Sequence, residues 1–92
     1  MKIVINSCYG GFSLSKEALE HFRKETGGKA GFYDFQIDRD HPVLIRIVEE
    51  WGDRANGPYS KLKIVEIPDE VNWVISEHDG SEWVAERHRT WE

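Results

Sequence analysis

The sequence predicts an α+β domain, with a mixed sheet of about five strands and two helices in the order β-α-β-α-β-β-β. Three observations carry that expectation. Residues 3–5 are consecutive β-branched apolar residues, a pattern of buried strands. Two later stretches switch to helical periodicity. An Asp-Gly pair at 79–80 sits between two runs of strand-forming residues, the strongest short-range signal for a hairpin.

The elements follow in order. KIVINSC (2–8) reads as a central strand covered on both faces. Over 14–26, Leu14, Ala18, Leu19 and Phe22 share one arc of a helical wheel, with Lys16, Glu17, Glu20, Arg23 and Lys24 opposite. Either Ser13 or Ser15 can cap that helix, and Gly27-Gly28 can end it. FYDFQID (32–38) alternates as a half-buried strand. Asp40 is the expected N-cap of a second helix, with Pro42 in its first turn. Val43, Leu44, Ile47, Val48 and Trp51 form its inward stripe, with Ile45 off it. ANGPYS (55–60) is rich in turn residues, and KLKIVEI (61–67) reads as a strand stopped by Pro68. Residues 71–78 and 81–87 form the hairpin, in a register that sets Ile75 opposite Val84, Val74 opposite Ala85, and Glu77 opposite Glu82. The last pair places like charges together. Short right-handed crossovers would make the first three strands parallel and add the hairpin antiparallel.

Ninety-two residues fit a single domain, 1–92. Four tryptophans and 12% aromatic residues argue for a folded chain. A net charge of −5 argues against general nucleic-acid binding, which relies on basic surface, but leaves room for a small anion at a local patch. With one cysteine, Cys8, there is no intrachain disulfide and no four-cysteine zinc site. No secretory signal or membrane span is read from the N-terminal run, and the expected compartment is the cytoplasm. Metal is not expected, since His78, Asp79, Glu82 and His88 lack ligand spacing. No cofactor is expected either.

The stretch CYGGFS carries most of the chemistry. At a strand's carboxyl end, before a helix, backbone amides and the helix dipole can hold phosphate or carboxylate, and glycine admits a ligand close to the backbone. Neither G-x-G-x-x-G nor a Walker loop is present, and a tight turn needing positive φ explains the same glycines. Gly10, Gly11 and Ser13 are the candidate phosphate donors. Tyr9 is a candidate stacking face for a nucleobase, and Phe12 is expected to belong to the core. ERHRTWE (86–92) places Arg87 and Arg89 near Trp91. Arginine pairs with phosphate and tryptophan stacks on bases, although an exposed tail is the simpler account. Arg39 would reach the same edge if the strands ran parallel. Cys8 is the one candidate thiol nucleophile, with a buried, inert cysteine as the commoner alternative.

Taken together, INSCYGGFSLS, DRDHPVLIRIVEEWG, ANGPYSKLKIVEIPD and EWVAERHRTW resemble a family of small hypothetical proteins encoded by tailed bacteriophages and prophages. The resemblance covers nearly the whole chain. It implies an accessory protein acting in the bacterial cytoplasm, and by analogy of setting a sponge for a nucleotide immune signal. The expected function is binding of a small phosphate-bearing ligand without catalysis. A protein-interaction module using the aromatic and basic C-terminal surface is the alternative, and a Cys8-dependent hydrolase or transferase the second. Self-association is among the open partnerships.

Overall fold

The computed structural model describes residues 1–27 and 37–86. Within them the order is β1 (Lys2–Asn6), α1 (Lys16–Glu25), α2 (Pro42–Trp51), a 3-10 turn (Gly52–Ala55), β2 (Leu62–Glu66), β3 (Trp73–His78) and β4 (Ser81–Glu86). The α+β class stands. Most of the expected strand at 32–38 lies outside the described residues; of its last two, Ile37 is buried in the core.

The sheet differs from expectation. The four described strands form two separate two-stranded antiparallel sheets, β1-β2 and β3-β4, in place of one mixed sheet of about five. β1 and β2 pair antiparallel, Ile3 opposite Val65 and Val4 opposite Ile64, rather than parallel. The reason lies in where the chain goes after α2. Asn56 bridges to Leu14, and the Gly57 N–H donates to the Ser13 carbonyl at 3.1 Å. Both contacts pin this segment beside the residues that follow β1. The chain therefore enters β2 at the carboxyl end of β1, and can only run back along it.

β1 is buried, as its apolar run predicts: Ile3, Val4, Ile5 and Asn6 are all inaccessible or nearly so. On its second edge it pairs with no strand among the described residues. The Val4 N–H donates to the Arg39 carbonyl at 2.8 Å, and the Asn6 N–H to Glu82 Oε1 at 2.8 Å. A carboxylate thus takes the place a neighbouring strand's carbonyl would fill, which keeps β4 out of the first sheet.

The helices pack Ala18 and Phe22 of α1 against Leu44, Ile47 and Val48 of α2, with Val4, Leu14 and Ala55 completing the core. Ser15, of the two serines, caps α1, its Oγ accepting from the Ala18 N–H at 3.2 Å and donating to the Arg54 carbonyl at 2.7 Å. α2 is capped by His41, not Asp40: His41 Nδ1 accepts from the Val43 N–H at 3.1 Å. Pro42 at the first helical position puts Asp40 one residue too early to reach it. Ile45, expected off the stripe, packs on the core while half-buried. The hairpin register is the expected one, and φ is 51° at Asp79 and 91° at Gly80, both positive as a type I′ turn requires.

Candidate functional site

The corner between β1 and α1 is where the sequence gathers its candidates, and three turns converge there. Asn6 is fully buried and uses its whole amide. Its Nδ2 donates to the carbonyls of Cys8 and Gly80, both at 2.7 Å. Its Oδ1 accepts from the Lys61 N–H at 2.8 Å and faces the Cys8 thiol at 3.4 Å. One side chain therefore fastens the 8–11 corner, the hairpin turn and the entry to β2. Sequence reasoning passed over it; a lone asparagine closing an apolar strand was the available signal.

The glycines serve that convergence. A Cβ on Gly10 would overlap the backbone of Tyr59, and one on Gly80 would lie 2.5 Å from the Tyr9 carbonyl oxygen and 2.6 Å from the Gly11 nitrogen. Gly11 turns the chain at φ 86° with open space above it. Residues 12–15 separate this turn from α1, so the glycines do not open the helix. Ser13 lies beneath the 57–60 turn, its carbonyl accepting from the Ser60 hydroxyl at 2.7 Å and from the Gly57 N–H. Replacing Gly10 with alanine is expected to destabilise the protein by about 2–3 kcal/mol, the cost of forcing a methyl into packed backbone. Urea denaturation measures it, and a wild-type midpoint would show that the two turns do not touch.

Arg39 does approach the corner, but its charge is engaged. Nη1 and Nη2 donate to the two Glu82 oxygens at 2.5 and 2.9 Å, and the guanidinium lies 3.7 Å from the Phe12 ring centroid. The side chains are only 17% and 9% exposed. This pair resolves the like-charge opposition of Glu77 and Glu82: Glu82 turns to Arg39, and Glu77 accepts from the Gly80 N–H at 2.8 Å. Phe12, expected in the core, is half-buried and packs against it beneath Arg39. Arg87, Arg89 and Trp91 lie outside the described residues.

Cys8 is half-buried, and its thiol donates to the Tyr59 carbonyl at 2.9 Å. The described histidines have partners elsewhere: His21 with Glu25, His41 with the Val43 N–H, and His78 with Asp79. The corner thus brings the thiol an acceptor rather than a base. The hydrogen bond that the Lys2 ammonium donates to the Glu49 carboxylate holds that ammonium above its ordinary pKa, and the Met1 α-amino group holds the Asp69 carboxyl below the usual range. Among the described residues no cluster of three or more His, Cys, Asp or Glu could hold a metal, and no helix is long and apolar enough to cross a membrane.

What the corner does present outward is aromatic. Tyr9 is 75% exposed and Tyr59 77%, on the two turns that meet at Gly10. No family model, curated protein or solved structure matches the chain.

Proposed function

We propose that the chain is a non-catalytic binding protein that recognises a partner protein through the Tyr9–Tyr59 corner. The observation that supports this is the exposure of two tyrosines on backbone turns held in place by Asn6, Gly10 and the Cys8 thiol. Tyrosine offers a large amphipathic contact at small entropic cost, and pre-ordered turns reduce the cost of binding further. The resemblance to small phage-encoded proteins would put the partner in the cytoplasm of a bacterial host.

The immobilised protein should retain a host protein from bacterial lysate. The double variant Tyr9→Ala/Tyr59→Ala should release it while keeping the unfolding midpoint, because exposed side chains contribute within about 0.5 kcal/mol to stability. Retention undiminished by the double variant would refute the reading. A nucleotide-type ligand is the competing reading, favoured by the Tyr9 ring beside the Gly10-Gly11 backbone. It has lost Arg39 as a counter-charge, since Glu82 holds it. Calorimetry with cyclic dinucleotides and ADP-ribose derivatives separates the two; saturable heat would favour the nucleotide.

A further inference from the structure

The β3-β4 ribbon carries a surface that the tyrosine corner does not explain. With a two-residue turn, His78 and Ser81 form a hydrogen-bonded pair, and the alternation continues through Ser76–Trp83 and Val74–Ala85. The N–H and C=O groups of Trp73, Ile75 and Glu77 therefore point away from β4, along the outer edge of β3. Among the described residues β3 pairs with β4 alone.

Edge strands are ordinarily protected by proline, charged side chains (lysine above all), a bulge or a covering segment, and the one carboxylate of β3 is Glu77, near its end. β3 reads WVISEH, has no proline or lysine, and pairs with β4 without interruption. Its Trp73, Val74 and Ile75 are each only half-buried, as are Val84 and Ala85 opposite, whereas Ile3, Val4 and Ile5 of β1 are buried. A two-stranded ribbon gains stability from a third strand.

We propose that a second copy of this chain supplies that strand, β3 pairing antiparallel with β3 about a twofold axis at Ile75 to give a four-stranded sheet. Outward-facing groups require odd residues to meet odd residues, and this register provides it. Ile75 meets Ile75, Trp73 meets Glu77, and Val74 meets Ser76. No like charges are opposed. A twofold at Glu77 would instead set two carboxylates against each other, so charge selects against it. The isologous arrangement closes on itself as a dimer.

Light scattering after size exclusion should give twice 10.7 kDa at high protein concentration and 10.7 kDa on dilution. Ile75→Pro deletes one outward N–H, a change an edge strand tolerates, and should leave a folded monomer. Hydrogen exchange on the unaltered protein provides a second reading. The Trp73, Ile75 and Glu77 amides should slow as concentration rises, while those of Val74 and Ser76, already bonded to β4, should not. A monomer at all concentrations overturns the proposal. So does a dimer that survives in a folded Ile75→Pro variant, or one lost in Tyr9→Ala/Tyr59→Ala, and so does exchange at the three amides independent of concentration.

Discussion

Asn6→Leu is expected to be the most damaging single change in the described part of the molecule, at about 4 kcal/mol. Leucine has similar bulk but leaves the Lys61 N–H and the carbonyls of Cys8 and Gly80 without their partner. Each buried group so orphaned costs about 1–3 kcal/mol. Small domains hold only about 5–15 kcal/mol in total, so the variant should sit near its unfolding threshold at room temperature. Chemical denaturation followed by tryptophan fluorescence provides the measurement. A loss under about 1 kcal/mol would mean that water replaces the amide and that the three turns are not joined through it.

Glu82→Ala should cost about 3 kcal/mol, because it removes both carboxylate acceptors of the Arg39 guanidinium, leaving it only the Val4 carbonyl at 3.5 Å, and with them the acceptor of the Asn6 N–H. Partial exposure of Arg39 keeps the figure below that of a fully buried pair. Arg39→Met combined with Glu82→Leu should recover part of the loss, since an apolar pair carries no unmatched charge. A double-mutant cycle with Arg39→Ala isolates the coupling. Near-zero coupling would show that the two side chains act separately. Glu82→Gln provides the control: it keeps the shape and one acceptor, and should fall between wild type and alanine.

Much of the local structure was legible in the residues. Both helices, the hairpin register and its turn follow from periodicity and from Asp79-Gly80, because those patterns are set by neighbours along the chain. Sheet topology was not legible, because direction depends on where a connection is anchored. Nothing in the sequence of 55–60 announces that Gly57 will bond to Ser13 and reverse the expected path. The site was half legible. The glycine corner was legible as a tight turn needing positive φ, which Gly11 shows, yet Gly10 and Gly80 act through backbone crossings 49 and 69 residues away in sequence, Gly10 with Tyr59 and Gly80 with Gly11. Such crossings leave no periodic trace. Arg39 was expected near the corner and arrives beside β1, where it meets a carboxylate that the hairpin register had already marked as uncomfortable.

The span of these contacts also bears on how the molecule is made. Asn6 reaches Gly80 across 74 positions, and its N–H reaches Glu82 across 76. On the ribosome, β1 emerges long before either acceptor leaves the exit tunnel. Full burial of that segment must wait for the hairpin to be made, and the closure is slow, as distant closures are.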